Sequence, residues 1–90
     1  EEVEYEKLDD YNYVFEGKTL LKDACRVTGI DEAELDRVRG DADTVAGLVL
    51  ELLGYLPRKG AEIEHPPFKF KVVGANERRI EKVRITLPGH

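Results

Sequence analysis

The stretch from residue 43 to residue 57, DTVAGLVLELLGYLP, is the longest nearly uncharged run in a chain that is 37% charged. A membrane-spanning helix needs about 20 apolar residues, and Gly54 and Pro57 close this run after roughly a dozen. No direct membrane insertion by this segment is expected, and the run reads instead as the helix on which a small domain is built. Val45, Leu48, Val49, Leu52 and Leu53 recur at helical spacing and form one broad apolar face, with Glu51 off the stripe. Asp43 is the expected N-cap, because its carboxylate can accept the unpaired first-turn amides and its charge suits that end of the helix. Gly54 is the expected left-handed stop, and Pro57 keeps the helix from resuming. Gly47 and Leu50 are unexpected on a solvent face. A glycine inside a helix costs up to about 1 kcal/mol relative to alanine, so Gly47 is expected to mark the close approach of another backbone, with a ligand as the alternative.

With 90 residues, 41% of them hydrophobic, residues 1–90 are expected to make a single domain with a modest core. The formal charge is -5 and the isoelectric point near 5.0. This disfavours nucleic acid and anionic lipid as partners, since both would repel the chain. One cysteine, Cys25, permits no internal disulfide, and a reducing, cytoplasmic setting fits. The start at Glu1 without a methionine suggests a domain excised from a longer protein.

Val3 to Leu8 alternates as a short strand, Asp9 and Asp10 make a turn, and YNYVF puts Tyr11, Tyr13 and Phe15 on one face of a second strand. Thr19 is placed to cap a helix carrying Leu20, Leu21, Ala24 and Cys25, which stops at Gly29. Asp31 and Glu34 have capping-box spacing, so residues 32 to 38 predict another helical turn. Beyond the central helix, Pro57, Arg58, Lys59 and Gly60 form a turn into a short strand around Ile63. Pro66 and Pro67 require that strand to end near His65 or to lie at an edge. FKFKVV places Phe68, Phe70 and Val72 on one face, and GANE makes a hairpin turn. In the last strand Ile80 is out of phase with Val83, Ile85 and Leu87, which predicts a β-bulge near Glu81 and Lys82. The order β-β-α-(α)-α-β-β-β describes an α+β domain, a small, mostly antiparallel sheet with amphipathic helices on one face.

The chemical inventory is thin, and catalytic, metal and cofactor sites are all expected to be absent. His65 and His90 are not grouped with further zinc ligands. Cys25 lies at helical spacing from Leu21 and reads as a small buried hydrophobe rather than a reactive thiol. Neither a Ser/His/Asp signature nor a Walker or dinucleotide glycine run is visible, so no enzyme is expected. Asp9 with Asp10, and Asp41 with Asp43, read as turn and cap residues, with a magnesium site as the alternative. Arg58, Lys59, Arg78, Arg79, Lys82 and Arg84 read as ordinary charged surface, with a phosphate or an acidic protein surface as the alternative.

DTVAGLVLELLGYLPRKG followed by AEIEHPPFKFKVVGANERRIEKVRI resembles the transporter-associated domain at the C-terminus of CorC/HlyC proteins, the hemolysin-like or magnesium and cobalt efflux family. The family's opening pattern is loosely matched by Asp10, Tyr13, Val14, Gly17, Leu20, Leu21 and Asp23. Its helix start is matched by Asp43, Thr44, Val45 and Gly47, its L-G-x-(I/L)-P by Leu53, Gly54, Leu56 and Pro57, and its following glycine by Gly60. Its terminal R-I-x-x-V-x-I is matched by Arg79, Ile80, Val83 and Ile85. Ala46, the pair Asn12 and Tyr13, and the prolines of HPPF depart from the pattern.

The resemblance implies an intracellular regulatory module that follows a transmembrane region and paired CBS domains, with a fold similar to a subdomain of FAD-binding oxidoreductases. On that basis the expected function is a noncatalytic cytoplasmic domain of an inner or plasma membrane protein. It would modulate ion transport, with magnesium and cobalt efflux as the candidate, through contacts with the rest of the parent transporter. An adenine-nucleotide or FAD-binding module is the alternative, and a magnesium-sensing module the third choice. The expected contact surface is Arg78, Lys82 and Arg84 beside the edge His65, Pro66 and Pro67, which the acidic segment from Asp31 to Asp43 of a second copy would meet in a homodimer.

Overall fold

The computed structural model describes residues 3 to 88. Its elements are β1 (Tyr5–Lys7), β2 (Asn12–Glu16), α1 (Leu21–Thr28), α2 (Ala33–Asp36), α3 (Val45–Leu53), β3 (Glu62–His65), β4 (Phe68–Ala75) and β5 (Ile80–Thr86). The strands form one antiparallel sheet in the order β1-β2-β5-β4-β3, which is the α+β arrangement expected. Each strand sends alternate residues to one side. Tyr13, Phe15, Ile63, Phe68, Phe70, Val72, Ile80, Val83 and Ile85 are buried together with Leu21, Ala24 and Cys25 of α1, Leu35 of α2 and Val45, Leu48 and Val49 of α3. The helices therefore cover one face, and none of the described polar or charged residues is buried.

The first turn is built on Asp9. Its carboxylate accepts from the amides of Tyr11 and Asn12 at 2.8 and 2.9 Å and from Asn12 Nδ2 at 3.0 Å. The turn takes in Tyr11, which is 42% exposed instead of sharing the buried face of Tyr13 and Phe15. β1 is only three residues long, shorter than the expected Val3 to Leu8, and Tyr5 packs against Phe15 and Tyr13 with ring centroids 5.7 and 6.2 Å away.

Acid is expected to loosen this turn. The Tyr11 amide, ahead of the Asn12 side chain, holds the Asp9 carboxyl below its ordinary value. Its contribution is complete above the unfolded-state carboxyl range and is lost as pH falls through the lower folded-state value. Thermal melts between about pH 5 and about pH 2 should show a smaller acid-induced drop for Asp9→Ala than for the parent. Equal drops would remove Asp9 from the acid response.

Both helix starts differ from expectation by one residue. Thr44, not Asp43, caps α3, its hydroxyl oxygen accepting from the Gly47 amide at 3.0 Å. The Asp43 carbonyl accepts from the Leu21 amide at 2.7 Å, and its carboxylate turns to Arg39. Thr19 is not the cap of α1 either. Leu20 occupies that position without a side-chain cap, is 40% exposed, and forms a β-bridge with Thr44. The Thr19 carbonyl accepts from the Val45 amide at 2.9 Å, so the starts of α1 and α3 satisfy each other's free main-chain groups. Gly54 ends α3 in the left-handed region at φ 81°.

Burial of α3 is concentrated at Val45, Leu48 and Val49. Leu52 and Leu53 are half-buried, and Leu50 is exposed. A Cβ on Gly47 would meet Ala42 Cβ at 3.0 Å and Thr44 Oγ1 at 3.2 Å, so the close neighbour is the preceding loop rather than a packed backbone from another element. Pro57 is buried, and Gly60 (φ 96°) donates its amide to the Val72 carbonyl at 2.7 Å, extending the β3–β4 pairing. The phase error in β5 is absorbed by two irregularities. Val72 pairs with Val83, Gly74 with Lys82 and Ala75 with Ile80, so Val73 is extra on β4 and Glu81 on β5. Ile80, Val83 and Ile85 thereby all reach the core, and Leu87 packs at its margin.

Candidate functional site

The uncovered face of the sheet gathers the charged side chains of five strands. β5 is central, and because Val83 and Ile85 point to the core, Lys82, Arg84 and Thr86 point away from it. The pairing sets Arg84 between Val14 and Lys71, Lys82 between Glu16 and Gly74, and Thr86 between Asn12 and Lys69. Beyond β4, Lys71 pairs with Glu62 and Lys69 with Glu64 on β3, at 3.9 and 3.6 Å. Thr86 Oγ1 donates to Asn12 Oδ1 at 2.6 Å. Arg84 differs from these neighbours. Its Nε is buried and, among the described residues, has no hydrogen-bond partner. A guanidinium N–H in that condition loses its hydration without replacement, and a carboxylate is its natural complement.

Two hollows frame this row. A shallow groove of about 270 Å³ lies over Arg84, Lys71, Lys69, Glu62 and Glu64. An open cleft of about 450 Å³ lies beside Lys82 and is lined also by Glu16, Lys18, Gly74 and Arg79. Gly74 opens the cleft by placing no side chain opposite Lys82. Along β1 and β2, Glu4, Glu6 and Glu16 share a further hollow of about 190 Å³ with Val14 and Lys82.

The expected contact surface is not one surface. Lys82 and Arg84 do lie together on the open face. Arg78 is in the turn after β4, where its amide donates to Asn76 Oδ1, while His65, Pro66 and Pro67 lie at the turn before β4. The eight residues of β4 separate these turns by roughly 26 Å of strand. His65 also pairs with Phe68, which puts it on the helix side of the sheet. Pro66 and Pro67, joined by a cis peptide, connect the edge strand β3 to β4. The acidic segment is on the other layer: Arg39 holds Asp43, Asp36 and Glu32 at 3.4, 3.6 and 3.9 Å beside α2. Glu4, Glu6, Lys69 and Lys71 are not among the expected contact residues, although the alternation of KFK in β4 puts its two lysines between the core-facing phenylalanines and away from the core.

The remaining candidates hold their own chain together. Asp9 is engaged by its turn, Asp10 lies 3.8 Å from Lys7, and Asp43 faces Arg39. Among the described residues no three His, Cys, Asp or Glu side chains are grouped to hold a metal ion, and His90 lies outside those residues. Cys25 is 4% exposed. Burial, reinforced by the Glu32 carboxylate, pushes its thiol up to about 11, so it stays protonated and weakly nucleophilic near neutral pH. Among the described residues no helix is long and apolar enough to cross a membrane.

The family model named CorC_HlyC, described as transporter associated domain, matches residues 6–89. A stretch of 47 residues is 43% identical to the magnesium and cobalt efflux protein CorC of Pasteurella multocida, covering 52% of this chain but only 16% of that protein. The solved transporter associated domain of a CBS domain protein from Porphyromonas gingivalis is 33% identical with a TM-score of 0.85, over 94% of this chain and 98% of that one. A CorC_HlyC transporter associated domain from Nitrosomonas europaea is 28% identical with a TM-score of 0.72, over 97% and 99% of the two chains.

Proposed function

The chain belongs to the CorC_HlyC transporter associated domain family, and from that premise we propose that it is a noncatalytic regulatory domain that modulates ion transport by a longer membrane protein through surface contacts. The carrying observation is the open sheet face. Ionisable side chains are concentrated there around Arg84, whose Nε has no hydrogen-bond partner among the described residues, while the residues buried beneath the helices are hydrophobic. Such a face suits reversible contact with another protein surface better than enclosed chemistry, because its groups are oriented by strands yet remain solvated. Transport of magnesium or cobalt is carried over from the efflux protein, of which the matched stretch is a small part. The transmembrane and CBS portions of the longer protein are the proposed contacts, on the cytoplasmic side.

Removal of residues 6–89 from the full-length protein tests this reading. Ion flux into vesicles, recorded over a range of internal and external ion concentrations, should keep its path but change several-fold in rate or ion dependence. Flux with the parent's rate and ion dependence would refute a regulatory role.

A further inference from the structure

We propose that the open sheet face is a self-complementary docking surface for a second copy of this chain. A two-fold axis running along β2 would set β5 of one copy over β1 of the other, and β1 over β5. This rests on the reading that the domain acts through surface contacts and names the surface and its partner.

The charge layout carries the inference. The β1–β2 half presents Glu4, Glu6 and Glu16, while β5 and β4 present Lys82, Arg84, Lys69 and Lys71. A two-fold axis along β2 brings Glu4 and Glu6 of each copy over Lys82 and Arg84 of the other, which meets the self-complementarity of an isologous interface. The alternative of basic over basic is repulsive and sets the register. Glu62 and Glu64 already neutralise Lys71 and Lys69 at the far edge. That leaves Arg84 and Lys82 as the cations without an ion pair at the centre, and Glu4 and Glu6 as carboxylates without one, among the described residues. Arg84 is the anchor, since it shares a row with Val14 and Glu6 and the axis sets Glu6 of the second copy over its guanidinium. Val14, in the same row, supplies apolar contact close to the axis.

Size limits the strength. Three overlapping strands span roughly 14 Å and about six residues of each roughly 20 Å, so the contact buries on the order of 600 Å² over both copies. That lies below the range of specific, stable interfaces. The dimer is therefore weak, salt-sensitive and dependent on concentration, which suits domains held near each other by a larger assembly.

Sedimentation equilibrium on the 90-residue chain tests the proposal, with two variants whose folding is checked by circular dichroism. Lys82→Glu/Arg84→Glu makes the face acidic, and Glu4→Lys/Glu6→Lys makes it basic. The parent should self-associate at low salt and weaken about tenfold or more at high salt. Each variant alone should be weakened about tenfold or more, and their equimolar mixture should recover association as a heterodimer. A parent that stays monomeric at all accessible concentrations would overturn the proposal, as would folded variants that associate like the parent or a mixture that fails to associate. Should a variant not fold, amide shifts of the parent on dilution decide. Shifts at Glu6, Val14 and Arg84 support the face, and shifts confined to α2 and α3 overturn it. If self-association fails while removal of the domain still alters transport, only the dimer is lost.

Discussion

Phe15→Ala is expected to destabilise the domain by roughly 3 to 5 kcal/mol, the usual cost of emptying a buried aromatic site. Phe15 is 0% exposed in the second strand of the sheet and pairs with Val83, which is also 0% exposed. Its ring stacks on Tyr13 at 6.2 Å and meets Tyr5 at 5.7 Å, so truncation also removes the packing that holds the three-residue β1 in place. A domain of this size has only about 5 to 13 kcal/mol of stability in total. The variant should therefore melt at least about 12 °C below the parent. Phe15→Leu, which keeps most of the volume, should cost much less. A loss under about 1 kcal/mol for Phe15→Ala in urea denaturation would contradict the central place of this residue.

Gly17→Ala should cost about 3 kcal/mol although it adds one methyl group, because the added Cβ would fall on the Ile80 carbonyl oxygen. The Gly17 amide donates to the Glu81 carbonyl at 2.8 Å, and its own carbonyl accepts from the Ala46 amide at 3.0 Å. One residue thus joins the end of β2 to the bulge of β5 and to the first turn of α3. Its φ is not positive, so packing rather than backbone freedom demands the glycine. Gly47→Ala is the control. There the neighbours at 3.0 and 3.2 Å belong to a loop alanine and a hydroxyl, and a gain of up to about 1 kcal/mol in helix propensity opposes the crowding. Parallel denaturation curves should place Gly17→Ala well below Gly47→Ala. Equal curves would mean that β5 yields easily at Ile80.

Local patterns were legible where one segment decides its own structure. The stripe of Val45, Leu48 and Val49 marked α3, Gly54 marked its end, and the phase of Ile80 against Val83 marked the bulge, because helix period, left-handed stops and strand alternation are properties of a few consecutive residues. Competition between segments was not legible. Asp43 and Thr44 are both good caps, and Thr44 takes the position where the chain from residue 43 to 45 pairs with residues 19 to 21 while the Asp43 carboxylate faces Arg39. The site was legible only in part for the same reason. Lys82 and Arg84 share a face by alternation, but their neighbours depend on β5 inserting between β2 and β4, a pairing of distant segments. That insertion sets Lys71 and Val14 beside Arg84 and sends Arg78 and His65 to opposite ends of β4. The packing role of Gly17 was not legible, since its contact with Ile80 exists only once the sheet has closed.

Surface-mediated control of transport is tested most directly by ion flux through the full-length protein carrying Lys82→Glu/Arg84→Glu. Both side chains lie on the open face and outside the core, so the domain should fold with nearly the parent's melting temperature. The expected result is a several-fold change in the rate or ion dependence of flux with that melting temperature preserved. Flux indistinguishable from the parent's across the full range of ion concentration, in a protein shown to contain the folded domain, would contradict it.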